Sequence, residues 1–163
     1  MEDEVDRILR AWSNERPDLD VTPLEVLSRV ARLARHVDAA RRAALAREGL
    51  ESFEFDVLTA LRRAGGTLGA GRLAGETLVS SGTMTHRVDI LEGRGLAARL
   101  IDSEDGRAVL VTLTDLGREA VDRSMLALLG REAAILGTLS QAERTRLAAL
   151  LRNVLLGFES GAG

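Results

Sequence analysis

A run of small polar side chains in the middle of the chain has the chemistry needed to recognise another molecule's surface. It holds Ser80, Ser81, Thr83, Thr85 and His86, at the start of a segment whose apolar residues recur with helical spacing. A helix N-terminus presents free backbone N–H groups and a positive dipole end to phosphate, so such a helix suits the major groove of DNA. In the alternative interpretation, the serines only cap the helix and His86 is a solvated surface residue.

The sequence lacks the residue patterns that enzymes use. It contains no cysteine and only two histidines, which excludes a thiolate nucleophile, a disulfide framework and a cysteine-based zinc site. It has no phosphate-binding loop, G-x-S-x-G turn or H-E-x-x-H helix. The glycine-rich stretch 65–71 lies between predicted helices and not after a strand, which disfavours a nucleotide site. We therefore predict that the protein is not an enzyme and has no catalytic residue, metal or cofactor.

Length and composition favour a single packed domain. The 163 residues are 45% hydrophobic, and charged residues interrupt every apolar stretch before the roughly 18 residues that a bilayer crossing needs. The acidic start does not resemble a signal peptide, so we expect a cytoplasmic protein without a membrane partner. The net charge is −3, but seven arginines face six acidic residues between positions 62 and 107. This part is thus less acidic than the rest, which is a weak indication of a nucleic-acid partner.

Hydrophobic periodicity predicts a mainly α-helical fold with a small β-wing. Two short helices joined by a tight turn at residues 79–81 indicate a helix-turn-helix, and the second has Met84, Val88 and Leu91 as its buried stripe. A hairpin follows directly, with a polar turn at residues 102–106. Further expected helices cover residues 5–13, 22–47, 53–64, 68–78, 115–136 and a last one from 141, and the expected strands are 97–101 and 109–113.

Capping patterns predict where three of these helices begin. Capping boxes are expected at Thr22-Pro23-Leu24-Glu25 and at Ser140-Gln141-Ala142-Glu143, and Thr114 is expected to cap the helix between them.

The last predicted helix has a broad apolar face that needs a partner. Its members are Leu147, Leu150, Leu151, Val154, Leu155 and Phe158. Because the leading helices are equally apolar on one side, the economical partner is the same surface of a second subunit. We therefore predict a homodimer.

The order of the predicted elements resembles that of the MarR family of winged-helix regulators over nearly the whole chain. Three segments carry the resemblance in their residues. Residues 80–96 resemble the family's recognition helix and its closing glycine turn, Asp105-Gly106-Arg107 its wing tip, and residues 113–117 the start of its dimer helix. Leu100 and Ile101 differ, because an arginine–proline pair is more usual there. The resemblance implies a homodimer on a pseudo-palindromic operator in double-stranded DNA, usually as a repressor released by a small anionic or phenolic ligand.

The wing supplies two further candidate DNA contacts. Arg107 could enter the narrow minor groove, where the negative potential favours a guanidinium, and Asp105 could orient it. The alternative is an ordinary hairpin with an exposed arginine.

Four residues resemble the ligand site of the family's urate-responsive branch: Trp12, Asp56, Arg87 and Arg99. The indole would form an apolar wall and the arginines would neutralise an anionic ring, while a buried aspartate could pair with an arginine and couple the pocket to the recognition helix. Alternatively, Trp12 packs the dimer and Asp56 forms a structural ion pair.

These expectations combine into one domain over residues 1–163 with two lobes. Residues 1–50 and 115–163 form a dimerisation lobe, and residues 53–113 form a DNA-binding lobe. The rival hypothesis is a winged helix used only for protein contacts, without specific DNA binding.

Overall fold

The protein is mainly helical, with a small sheet inserted between the helices. A computed structural model describes residues 2–101 and 109–159. Along the chain its elements are α1 (Glu4–Glu15), α2 (Thr22–Arg47), α3 (Ser52–Arg63), β1 (Thr67–Gly69), α4 (Ala70–Glu76), α5 (Ser81–Gly93), β2 (Ala97–Ile101), β3 (Val109–Leu113), α6 (Asp115–Ile135), a 3-10 turn (Leu136–Thr138) and α7 (Gln141–Glu159). The predicted class, mainly α with a winged helix-turn-helix, is confirmed. None of the described helices is both long and apolar enough to span a membrane.

Side-chain caps fix where α6 and α7 begin. The Thr114 hydroxyl accepts a hydrogen bond from the Gly117 amide at 3.0 Å. Ser140 and Glu143 exchange backbone-to-side-chain bonds of 2.7 and 3.4 Å. Both predicted caps are confirmed.

The capping box predicted at Thr22 is wrong. Thr22 lies inside α2, and its amide and hydroxyl both donate to the Asp20 carboxylate, at 3.0 and 2.7 Å. These two bonds, the hydroxyl's first, hold the pKa of Asp20 below its usual value. Asp20 therefore takes the Thr22 amide that a capping box would have given to the Glu25 side chain.

The sheet is antiparallel with strand order β1-β3-β2. On β3, Val111 pairs with Leu68 on one side and with Arg99 on the other. The helix predicted over residues 68–78 is wrong at its start, because residues 67–69 form β1 and α4 begins only at Ala70. Three residues are too few to show a period of two, so pairing with β3 decides their conformation.

One hydrophobic core joins the end of α2, α3, α4, α5, the sheet and α6 as far as Leu128. Leu58, Leu61, Leu73, Leu91 and Val111 are fully buried within it. The outer helices contribute little: α1 buries only Val5, and α7 buries no residue. The core thus fixes the helix-turn-helix and leaves the terminal helices with exposed apolar surface.

Candidate nucleic-acid interface

The two faces of α5 differ sharply in burial. Met84, Val88 and Leu91 are buried against the core. The predicted contact residues Ser81, Thr83, Thr85 and His86 are all exposed. The helix is therefore held by its apolar stripe and presents hydroxyls and an imidazole outward.

The N-terminus of α5 is closed by Ser80. Its hydroxyl accepts from the Thr83 amide at 3.2 Å and lies 2.9 Å from the Thr83 hydroxyl. Ser80 therefore caps the helix. The Thr85 hydroxyl donates to the Ser81 carbonyl at 3.0 Å, which leaves its oxygen lone pairs facing outward as acceptors.

Arg99 on β2 clamps the exposed side of α5. Its guanidinium donates to the Thr85 carbonyl at 3.0 Å, lies 2.7 Å from the Asp89 carboxylate and pairs with Glu92. Its amide also donates to Glu92 at 2.7 Å. Partial burial acts to lower the pKa of Arg99, but the hydrogen bonds and charges of Asp89 and Glu92 outweigh it and raise that pKa. The wing strand and the helix are thus joined through one side chain.

The turn after α5 is fastened to the start of α6. Gly95 adopts φ +68°, a left-handed conformation that suits glycine. Its carbonyl accepts from the Thr114 hydroxyl at 2.7 Å, and the Leu96 carbonyl accepts from the Thr114 amide at 3.3 Å. The cap of α6 therefore also closes the helix-turn-helix. The predicted wing residues Asp105 and Arg107 lie outside the described residues.

Within one protomer, the four predicted ligand residues do not come together. Asp56, Arg99 and Trp12 line three different cavities of about 390, 360 and 310 Å³. Arg87 stacks on the Phe53 ring at 5.4 Å from its centroid.

The expectation of a buried Asp56 coupled to the recognition helix is wrong. Its side chain is 46% exposed and pairs with Arg41 on α2, at 2.5 Å. Arg41 in turn lies over the Phe55 ring, at 5.2 Å from its centroid. Asp56 therefore connects α3 to the long helix α2 and not to α5.

The ion pair between Glu54 on α3 and Arg94 at the end of α5 was not predicted from the sequence. The only sequence signal is an acidic residue at the third position of a helix, which is a capping position. Its partner is 40 residues away, so spacing gives no sign of the pair. Among the described residues no cluster of three or more metal-ligating side chains occurs.

A helix-turn-helix followed directly by an antiparallel hairpin defines a winged helix-turn-helix protein. Residues 50–109 match the MarR family. Over 153 residues the chain is 35% identical to the HTH-type transcriptional regulator PecS of Dickeya dadantii (strain 3937), a similarity that covers 93% of this chain and 92% of that relative. The chain therefore belongs to the MarR family of transcriptional regulators. Members of this family are not enzymes, so the prediction of a non-enzyme is confirmed by membership.

Two solved structures of similar proteins concern DNA binding. A mutant of MarR from E. coli, complexed with operator DNA, superposes with a TM-score of 0.69 at 25% identity, over 83% of this chain and 95% of that one. BpsR from Bordetella bronchiseptica, whose DNA binding is regulated by 6-hydroxynicotinic acid, superposes with a TM-score of 0.60 at 29% identity, over 77% and 98%.

Proposed function

We propose that the chain is a homodimeric repressor that binds a pseudo-palindromic operator in double-stranded DNA. The observation that carries this proposal is the outward face of α5, where Ser81, Thr83, Thr85 and His86 are exposed beside a capped N-terminus. In a helix-turn-helix protein this part of the second helix meets base edges, while phosphates meet the helix N-terminus. The MarR–operator complex supports the same use of a similar fold.

In this proposal the two lobes have separate functions. Residues 53–113 bind DNA, and residues 1–50 with 115–163 form the dimer. Exposed apolar side chains on both terminal regions support the second assignment, among them Leu27, Val30, Leu151, Val154 and Phe158. Such a surface is unusual on a monomer and is buried efficiently by a copy of itself. Arg107, with Asp105, supplies the minor-groove contact that the family resemblance implies.

A small anionic or phenolic ligand releases the proposed repressor from DNA. Trp12, Asp56, Arg87 and Arg99 are its proposed contacts, and the ligand-regulated relative BpsR supports this kind of response. Since these residues are apart in one protomer, the site requires the dimer to complete it. Titrating urate and 6-hydroxynicotinic acid into a protein–DNA complex tests this. In the Trp12→Ala variant DNA affinity should persist while release is lost, whereas a weaker dimer with unchanged release would assign Trp12 to packing alone.

A salt titration of DNA binding separates the proposed function from a winged helix used only for protein contacts. Fluorescence anisotropy with duplexes from the gene's own promoter should give an affinity that falls steeply with salt, because arginines displace counterions from phosphate. A preference over scrambled duplexes of at least about 10³ is typical of specific binding. Absence of binding to every promoter fragment at low salt would contradict the proposal and favour the protein-contact rival.

A further inference from the structure

Glu54 is a buried carboxylate at the start of α3. Its side chain is only 1% exposed, and it accepts a hydrogen bond from the Glu51 amide at 2.8 Å. An ionised carboxylate in such a place needs a charged partner, because burial without one is very costly. Arg94, at the C-terminal end of α5, is that partner.

Arg94 caps the C-terminal end of α5 and reaches back to the junction of α2 and α3. One nitrogen of its guanidinium donates to the Glu54 carboxylate, and the other donates to the Gly49 carbonyl at 2.7 Å. The residues joined are 40 and 45 positions apart in sequence. Gly49 itself has φ +73° and follows the C-cap of α2. One planar side chain therefore ties α5 to the end of α2 and to the start of α3.

We infer that Arg94, held by buried Glu54, is a positioning residue that sets the angle at which α5 enters the major groove. The inference rests on the proposed function, since it concerns how the same helix meets DNA. Arg94 itself touches no base in this account. It acts through the backbone of α5, at the end opposite to the exposed residues Ser81, Thr83 and Thr85.

The length of α5 makes its orientation sensitive to this anchor. A helix of 13 residues is about 20 Å long, so a tilt of about 10° moves its far end by about 3 Å. A shift of that size breaks any direct hydrogen bond to a base edge. Contacts to phosphate from long, mobile side chains tolerate it better. Loss of the anchor should therefore reduce sequence discrimination more than general affinity for DNA.

The test must separate positioning from stability. Arg94→Met alone leaves the buried Glu54 carboxylate without its charged partner and should lower the melting temperature strongly. The double variant Glu54→Gln/Arg94→Met removes the charge and keeps an acceptor for the Glu51 amide. Its melting temperature should return to near the wild-type value, while the connection to Gly49 remains lost. Arg94→Lys keeps the charge without the planar fork and should show a smaller change in the same direction.

Arg62→Met/Asp122→Asn is the matched control. This exposed pair, at 2.9 Å, joins α3 to α6 without contacting α5. Its loss should leave discrimination between duplexes unchanged.

Two readouts on the full-length protein decide the inference. In the double variant the ratio of affinities for specific and scrambled duplexes should fall at least tenfold, and amide exchange across residues 81–93 should accelerate at least tenfold in the free protein. If the double variant keeps the wild-type affinity ratio and the wild-type exchange rate, the inference is wrong. It is also wrong if amide exchange becomes faster while the affinity ratio stays unchanged. If the wild-type protein itself prefers no duplex, the proposed function fails. The exchange data then still report separately whether Arg94 restrains α5.

Discussion

At the scale of single residues, α5 contains side chains that face outward and side chains that hold it in place. Thr85 belongs to the first group, and its backbone carbonyl is held by Arg99. Arg94 and Glu54 belong to the second group. The two groups should give different defects when they are changed.

Thr85→Ala should lower discrimination between operator and scrambled DNA by about 1 to 3 kcal/mol, the range for a side chain at a base edge. The matched control is Thr145→Ala on α7, because both threonines are exposed and both donate to the carbonyl four residues earlier at 3.0 Å. That control should bind DNA as the wild type does. Binding isotherms on both duplexes measure the effect.

Arg107→Ala should instead weaken binding to both duplexes and reduce its salt dependence, because an arginine in the minor groove acts chiefly through charge and groove shape. Equal losses on both duplexes for Thr85→Ala and Arg107→Ala, with unchanged salt slopes, would show that the roles of helix and wing are assigned wrongly.

The exposed residues of α5 could be predicted from the sequence, but the residues that hold the helix could not. Exposure on one helical face follows from the period of the apolar positions Met84, Val88 and Leu91. Ion pairs such as Glu54–Arg94 and Arg41–Asp56 join residues that are far apart in sequence, and their pairing depends on how helices pack. The pairing of Asp56 with Arg41 depends on the same packing, so the exposure of Asp56 could not be predicted from the sequence.

At the scale of elements, local sequence patterns predicted where most helices and strands begin. β2, β3 and α6 begin where predicted, because alternation and a threonine cap are properties of adjacent residues. β1 was missed since it exists only through pairing with β3. The capping of α2 was predicted wrongly because the competing acceptor, Asp20, lies before the segment that the capping pattern covers.

Gly117→Ala should destabilise the fold by about 3 kcal/mol, at the upper end of overpacking costs. A Cβ atom at this position would lie 1.9 Å from the Leu96 carbonyl oxygen, and that oxygen belongs to the turn that closes the helix-turn-helix. Gly75→Ala is the control, because a Cβ there meets nothing within 4 Å, and it should stabilise α4 by up to about 1 kcal/mol. Chemical denaturation measures the free energy of unfolding of both variants. Equal changes in the two variants would contradict the close approach of α6 to this turn.

The attachment of α1 to α2 should depend on pH. A hydrogen bond from Arg29 is the main cause that lowers the pKa of Asp3. A group with a lowered folded-state pKa stabilises the fold above its ordinary value, near 3.8, and this contribution is lost as pH falls through the folded-state value. Asp3→Asn keeps an N-cap acceptor but removes the charge.

The melting temperature of Asp3→Asn should therefore lie slightly below that of the wild type from pH 5 to 8, and the difference should shrink as the pH falls below the ordinary value of 3.8. Fluorescence of Trp12, the single tryptophan of the chain and a residue of α1, reports the transition. Asp18→Asn removes a pair within one loop and should leave α1 attached. A difference in melting temperature between Asp3→Asn and the wild type that grows as the pH falls would contradict this prediction.

At the scale of the whole molecule, the exposed apolar face of α7 predicts an obligate dimer. Leu151→Glu/Val154→Glu should give a monomer, or an unfolded chain, in sedimentation at micromolar concentration, because two charges would be buried without partners. Leu78→Asn is the control. Leu78 is 93% exposed at φ +54° in the helix-turn-helix, and asparagine tolerates that conformation. A stable wild-type monomer would contradict the dimer.

Selection of bound duplexes from a random pool by the wild-type protein tests sequence-specific recognition by a dimer most directly. Two copies of α5 related by a two-fold axis should enrich an inverted repeat whose half-sites are centred about 10 base pairs apart, one turn of the double helix. Footprints on the enriched sequence should be symmetric about its centre. Enrichment of a single half-site, or of no sequence at all, would contradict the account.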